Sequence, residues 1–416
     1  MKYFKTDGIR MNGNELIFSL IPLKLGRVLG NVSKKVCIGY DTRISSNEIY
    51  DLLVTGLITR GCDVISIGVC PTSVVGSITK QENCDYGIMI TASHNPYFDN
   101  GIKVFSSSGE KLTSLEEKEI DLLLNQNMVF NQVSKLGKVE NKKELIERYI
   151  TYLKNQLEEN KNIKVLFDVS NGVLSDILEK VIKDKIEYKI INNLPNGKNI
   201  NQNVGSEHIE CLLNNMDDSF TYGVSFDGDG DRVVIVNKNK EIINGDDLLY
   251  LFSKEYNYSK IVTTKMTNKG LIEELNKNNK SVYLSNVGDK NVFSLMKKEN
   301  ILLGGESSGH IIFLNSLYKN DGLFTFIKFL NLDNKEINYK KYFSKTMNFS
   351  VENKELNNDK IKEYENLINE RLRNEGEVYI RKSGTEDVLR INVQLKNKDR
   401  ELEIDNLIKE YLEDVL

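Results

Sequence analysis

One pattern constrains the fold more than any other. A short apolar run, a loop of small or polar residues and a helix-spaced segment follow one another repeatedly along the chain. Residues 36–39 (Val36, Cys37, Ile38, Gly39) read as a buried strand and 40–46 as a polar turn. Residues 47–60 then read as a helix, with Ile49, Leu52, Leu53, Leu57 and Ile58 at apolar spacing. Residues 64–68 and 86–90 supply two more strands. The rhythm restarts at 164–167, leading through 168–172 to a helix expected from Leu174. It restarts again at 261–264, leading through 265–270 to another helix. Strands that alternate with helices in this way pair mostly in parallel, with helices packed on the sheet. The expectation is α/β: three related α/β domains with mixed, mostly parallel sheets, and a smaller α+β domain at the C-terminal end. A Lys/Glu/Asn-rich helix around 140–159 marks the first boundary, and a charged stretch at 331–357 marks the last. The expected domains are 1–145, 146–244, 245–345 and 346–416.

Composition narrows the function classes. The chain has 416 residues, enough for two to four domains at about 100–200 residues each. Its 56 Lys and Arg against 60 Asp and Glu leave a net charge of −4, which disfavours a strongly basic nucleic-acid protein. The apolar stretch 16–23 stops at Lys24, too short to span a bilayer, and no signal-peptide order is present at the start. Five cysteines (37, 62, 70, 84 and 211) contain no C-x-x-C pair, so reduced thiols and no zinc site are expected. Together these point to a cytoplasmic protein with neither nucleic acid nor membrane as its partner.

Four segments could carry chemistry. Asp227-Gly-Asp-Gly-Asp231-Arg232 lies between two apolar runs, 223–226 and 233–236, and so reads as a tight turn between strands. Three carboxylates at alternate positions repel one another, and glycines between them let all three face one ion. Hard oxygen ligands in that number suit Mg²⁺ or Ca²⁺, and a solvated acidic hairpin is the bland alternative. Thr91-Ala-Ser93-His94-Asn95-Pro96 follows a strand directly, where α/β proteins place ligands. Ser93 has no G-x-S-x-G frame, which leaves a nucleophile-elbow hydrolase unsupported; Lys103 follows soon after. Gly304-Gly-Glu306-Ser307-Ser308-Gly309-His310 mixes groups that suit sugar hydroxyls, or is a loop with a capping Ser. Arg381-Lys-Ser383-Gly384-Thr385-Glu386, with Arg390 beyond it, offers two guanidiniums, two hydroxyls and free backbone N–H groups: a phosphate cradle, or a solvated basic turn. A metal site, a hydroxyl that could carry phosphate, a sugar-like loop and a phosphate cradle suit phosphoryl transfer on a phosphorylated polyol. No Walker P-loop is present.

These segments, with two more, resemble the motifs of the α-D-phosphohexomutases in family order. They are Thr6-Asp-Gly-Ile-Arg10, Gly39-Tyr-Asp-Thr-Arg43, Thr91-Ala-Ser-His-Asn-Pro96, Asp227-Gly-Asp-Gly-Asp-Arg232, Gly305-Glu-Ser-Ser-Gly-His310 and Arg381-Lys-Ser-Gly-Thr-Glu386. The stretch Asn196-Gly-Lys-Asn-Ile-Asn201 through Gly205-Ser206, and the loop 305–310, are similar to the glucosamine branch of that family. The resemblance implies an isomerase with four domains around a central cleft. It would interconvert glucosamine 6-phosphate and glucosamine 1-phosphate through a phosphoserine and a bisphosphate intermediate, and would supply UDP-N-acetylglucosamine for cell-wall synthesis. Ser93 would carry the phosphate. Asp227, Asp229 and Asp231 would hold one Mg²⁺ with a phosphoserine oxygen of Ser93. Arg10, Lys103 and Arg232 would surround the phosphoryl group, with Lys103 and His310 as acid/base candidates. Glu306 and Ser308 would read the sugar, and Lys290 would stand where the family has a phosphate-binding Arg. Arg381, Ser383, Gly384, Thr385 and Arg390 would hold the other phosphate from a mobile lid. A hexosamine or hexose 1,6-bisphosphate is the implied activator, and a homodimer is among the implied assemblies. Lys5, Met11, Lys290 and Asp387 depart from the family pattern. A phosphomannomutase or phosphoglucomutase, and a sugar-phosphate-binding protein without turnover, are the competing readings.

Overall fold

A computed structural model describes residues 1–5, 7–126, 135–159, 162–351, 357–382 and 388–413. The chain forms two compact units, one of residues 1–245 and 308–333, the other of 246–307 and 334–416.

The first unit holds two sheets. The strands of the first are β1 (Phe4–Lys5), β2 (Gly8–Asn12), β3 (Lys35–Tyr40), β4 (Asp63–Val69), β5 (Tyr86–Ile90), β6 (Asp99–Ser106) and β7 (Val139–Asn141), in the order β1-β2-β6-β5-β3-β4-β7. β5, β3, β4 and β7 run parallel, whereas β6, β2 and β1 continue the sheet antiparallel. The parallel strands read as apolar runs because helices cover them; Val36, Ile38, Val64, Ile88 and Ile90 are all fully buried. The helix expected at 47–60 spans Ser46–Ile58 and sets Ile49, Leu53 and Leu57 into that core.

The second sheet comprises β8 (Lys164–Asp168), β9 (Glu187–Ile191), β10 (Tyr222–Phe226), β11 (Val233–Asn237) and β12 (Ile242–Ile243), in the order β12-β11-β10-β8-β9. Here β10, β8 and β9 are parallel, and β11 folds back antiparallel on β10. The chain enters the second unit with parallel β13 (Lys260–Thr264), β14 (Ser281–Ser285) and β15 (Leu303–Gly305). It returns to the first for β16 (Ile311–Phe313) and the helix Gly322–Leu330. It closes in the second with an antiparallel sheet of β17 (Phe343–Ser350), β18 (Gly376–Lys382) and β19 (Val388–Leu395), β19 in the middle. Helices Asn358–Leu372 and Glu401–Glu413 complete this smaller α+β part.

Three expectations change. The segment read as a helix from residue 140 begins with strand β7, exposed along its length, and its helix starts at Ile146. The charged stretch before the last domain contains β17. The helix expected from Leu174 begins only at Leu178. Gly172 O instead accepts Ser175 N–H at 3.2 Å and Ser175 Oγ at 2.8 Å, so a turn uses the carbonyl that an earlier helix start would need.

Candidate active site

Ser93 lies between β5 and β6, in a loop at the C-terminal end of a parallel strand. Its φ is +53°, a left-handed conformation that costs a non-glycine residue about 1–2 kcal/mol. Hydrogen bonds hold it there. Ser93 N–H donates to Thr91 Oγ1 at 2.9 Å. Buried Arg43 donates to the carbonyls of Ser93 at 3.0 Å, Asn95 at 2.8 Å, Asp99 at 3.1 Å and also Pro96, and is itself ion-paired with buried Asp41 at 2.9 Å. The Ser93 hydroxyl, itself buried, donates to Asp227 Oδ2 at 2.7 Å.

Asp227 opens the turn between β10 and β11, whose register pairs Phe226 with Val233. The turn brings one oxygen each of Asp227, Asp229 and Asp231 within 4.8 Å of one another, and all three residues are buried. Thr72 Oγ1 donates to Asp229 Oδ2 at 2.6 Å, and Lys103 Nζ reaches the same oxygen at 2.9 Å and Asp231 Oδ2 at 3.3 Å. Asp229 Oδ1 is buried with no hydrogen-bond partner among the described residues. Burial and the like charges of Asp231 and Asp229 push the Asp227 carboxyl well above the usual range. Burial acts the same way on Asp229, but Lys103 and Thr72 overcome it and hold that group ionised. Three converging carboxylates, with Asp229 Oδ1 and Asp231 Oδ1 both left without a hydrogen bond among the described residues, and an excess of buried negative charge fit a divalent cation.

Cations rim these carboxylates. Burial opposes the Lys103 ammonium, yet Asp229, Asp231 and Asp7 keep it protonated. Asp7 ties the cations together: it meets Arg10 at 2.8 Å, Lys111 at 2.6 Å and Lys103 at 3.3 Å. Burial alone would raise Asp7, but Lys103, Lys111 and Arg10 hold it well below the carboxylate range. Arg232 donates its backbone N–H to Asp227 Oδ1 at 3.1 Å and its Nε to His310 Nε2 at 2.9 Å, and pairs with Glu207. Because Nε2 accepts, the His310 ring proton belongs on Nδ1, which faces Asp231 Oδ1 at 3.4 Å. His94 Nδ1 lies 3.4 Å from Ser93 Oγ; burial, then Arg232 and Arg10, push its pKa down to about 2 and keep it neutral.

The structure thus gathers Ser93, the three aspartates, Arg10, Lys103, Arg232 and His310 in the first unit, where Ser308 also lies, half-buried. The second unit holds the others. Glu306 follows β15, and its Oε1 accepts the Gly288 N–H at 2.8 Å, which ties it to the start of the helix Asp289–Glu299 that carries Lys290. Arg381 and Arg390 are cross-strand neighbours on β18 and β19. Burial and then Arg390 lower the Arg381 pKa, and Arg381 Nε is buried with no hydrogen-bond partner among the described residues. Ser383, Gly384 and Thr385 lie outside the described residues. Asp7 and Arg43 sit in motifs quoted above, but their roles come from tertiary contact. Thr72 and Glu207 carry no local sequence signal.

Comparison with known proteins agrees along the whole chain. Models described as phosphoglucomutase/phosphomannomutase α/β/α domains I, II and III match residues 1–128, 147–240 and 244–348, and the C-terminal domain of the same family matches 347–410. A phosphoglucosamine mutase of Ligilactobacillus salivarius is 34% identical over 96% of this chain and 95% of its own length. A phosphoglucomutase/phosphomannomutase family protein of Burkholderia thailandensis has the same fold at a TM-score of 0.81 and 20% identity, covering 99% of this chain and 97% of that one. So does an Aspergillus fumigatus N-acetylphosphoglucosamine mutase, solved with GlcNAc-6P and magnesium, at 0.65 and 14%, covering 98% and 96%.

Proposed function

This chain belongs to the phosphoglucomutase/phosphomannomutase family of phosphohexomutases, and from that premise we propose that it interconverts glucosamine 6-phosphate and glucosamine 1-phosphate. The observation that carries the reading is the Ser93 hydroxyl set 2.7 Å from the first carboxylate of a buried triad, with Lys103 bound to the other two. The similarity to a phosphoglucosamine mutase over nearly the full chain supports the choice of sugar.

In this reading Ser93 carries the phosphoryl group. The free sugar hydroxyl attacks it; the bond from phosphorus to Ser93 Oγ breaks, and one to the sugar oxygen forms. The attacking hydroxyl loses a proton and the Ser93 oxygen regains one. Lys103, held as an ammonium, can supply a proton on the serine side. His310 has its acceptor nitrogen on Arg232, and can take the sugar proton once that guanidinium turns to phosphate. Arg10, Lys103 and Arg232 neutralise the charge that develops on the phosphoryl oxygens. Mg²⁺ held by Asp227, Asp229 and Asp231 with an oxygen of the phosphorylated Ser93 would add Lewis-acid stabilisation of the same charge; the magnesium in the Aspergillus neighbour supports that identity. Glu306 and Ser308 read the sugar, and Lys290, Arg381 and Arg390, with Ser383, Gly384 and Thr385, hold the phosphate that is not reacting. The bisphosphate then turns over, and its other end returns a phosphoryl group to Ser93. A 1,6-bisphosphate would prime an unphosphorylated enzyme.

Among the described residues no helix is long and apolar enough to cross a membrane. A cytoplasmic place, where the product feeds UDP-N-acetylglucosamine synthesis, fits the five free cysteines. The test is a side-by-side kcat/KM comparison of glucosamine 6-phosphate, glucose 6-phosphate and mannose 6-phosphate, with Mg²⁺ and with or without bisphosphate. Glucosamine 6-phosphate is expected to win. Equal or better turnover of the others makes the protein a phosphogluco- or phosphomannomutase, and none on any of them makes it a binding protein.

A further inference from the structure

The segment 196–206 marks a branch of the family by resemblance, yet nothing above gives it work. Asn201 sits in this segment in a left-handed conformation, φ +55°, and is 6% exposed. Its side-chain amide donates to the Ser93 carbonyl at 2.7 Å and to the Asn95 carbonyl at 3.1 Å, across more than a hundred residues of chain. The two partners are acceptors, so the nitrogen must face them; the opposite orientation would set oxygen against oxygen.

Its own placement is fixed from behind. Asn201 N–H donates to Ser170 O at 3.0 Å. Asp168 at the end of β8 accepts the N–H groups of Ser170 and Gly205, each at 2.9 Å, and the Asn192 amide at 3.0 Å. Ser206 N–H donates to the carbonyl of Phe226, the residue before Asp227. The amide reaches Ser93 through a slot beside the metal-binding turn. A Cβ on Gly228 would stand 2.8 Å from Asn201 Nδ2 and 2.8 Å from Ser93 O, so the first glycine of the turn leaves the room this contact needs. Arg43 donates to the same two carbonyls, and the Ser93 carbonyl thus has two donors for its two lone pairs.

We propose that Asn201 is a positioning residue for Ser93. Its amide, passing the gap at Gly228, holds the Ser93 carbonyl and keeps the serine backbone left-handed with its hydroxyl on Asp227. Arg43 and Ser93 follow strands β3 and β5 of the first sheet, whereas Asn201 lies in the connection after β9 of the second sheet, whose β10–β11 turn carries the aspartates. The Asn201 contact therefore registers the phosphate carrier against the metal-binding turn. The inference rests on the reading of Ser93 as that carrier.

The experiment measures transfer of labelled phosphate from glucosamine 1,6-bisphosphate to the dephosphorylated enzyme, together with steady-state kcat and KM. Asn201→Asp keeps the shape and removes the donor, Asn201→Ala removes both, and Asn201→Ser keeps a shorter donor. Asp and Ala variants are expected to lose about 10- to 100-fold in Ser93 phosphorylation and in kcat, as a small misplacement of a reacting group does, with KM for the sugar phosphate within about twofold. The Ser variant should recover part of the loss. An Asp variant equal to wild type, a Ser variant no better than Ala, or an effect confined to KM overturns the proposal. A wild-type enzyme that takes no label overturns the reading of Ser93 beneath it, and the inference with it.

Discussion

Lys103 in the first unit and Arg381 in the second are both cations drawn away from water, and the chain treats them in opposite ways. Lys103 is 2% exposed and has Asp229, Asp231 and Asp7 within 3.3 Å. Arg381 has another cation, Arg390, as its cross-strand neighbour, and its Nε is buried without a hydrogen-bond partner among the described residues. A charge answered on several sides keeps its geometry whether or not substrate is present, which suits groups that must meet a reacting phosphorus in line. A like-charged pair in which a guanidinium keeps an orphaned donor gains from an added anion, which suits a grip that closes on substrate and lets go of product. On the proposed mechanism, the contrast separates a centre that does chemistry from one that captures substrate.

Four measurements break or sharpen it. Ser93→Ala should lose turnover on the order of 10⁴-fold or more, as removal of a covalent nucleophile does, and intact-mass analysis should find it lacking a phosphate that the active wild type carries. Near-normal turnover in that variant would end the carrier mechanism. Replacing any one of Asp227, Asp229 or Asp231 with Ala should cost about 10²–10³-fold in kcat. Chelation should silence the wild type and Mg²⁺ restore it; activity indifferent to chelator removes the metal from the account. Arg381→Ala should raise KM by about 10- to 100-fold, the worth of a charge-assisted hydrogen bond, and change kcat far less while Ser93 still accepts phosphate. A fall in kcat at constant KM would erase the distinction between the two centres. The smallest effect belongs to Lys290→Arg, which should lower KM for glucosamine 6-phosphate by a few-fold, because a guanidinium makes the two-pronged phosphate contact that an ammonium does not. An unchanged or raised KM shows that the lysine does not touch phosphate.

The chemical centre was legible in the sequence because its signals are local. The glycines between Asp227 and Asp231 sit between two apolar runs, and those runs are β10 and β11. Ser93 directly follows the apolar run of β5. What holds these residues was not legible, since Arg43, Thr72 and Asn201 reach their partners over 50 to 157 positions. Strand β17 was hidden for a different reason. Its inward positions alternate correctly, but one of them is Lys345, whose ammonium pairs with Glu401 at 2.8 Å and Asp405 at 2.5 Å. A buried-face lysine answered by a distant helix looks, in sequence, like a linker. β7 escaped notice because it is short, exposed and at the sheet edge, where no apolar pattern is required.

Buried Gln394, on β19, is tied to the loop that follows β13. Its amide nitrogen donates to the carbonyls of Met266 at 3.2 Å and Thr267 at 3.1 Å, and its oxygen accepts the Lys269 N–H at 2.7 Å. Swinging the final sheet away from that loop means breaking all three bonds. At about 1 kcal/mol net for each, the three bonds hold the sheet on the loop by about 3 kcal/mol, and the Lys269–Glu377 ion pair at 3.5 Å adds to them. The final sheet is therefore latched to that loop at its middle strand, and its excursions are rare events with a clock of their own: the Lys269 amide should exchange its hydrogen slowly, at a rate that counts each unlatching.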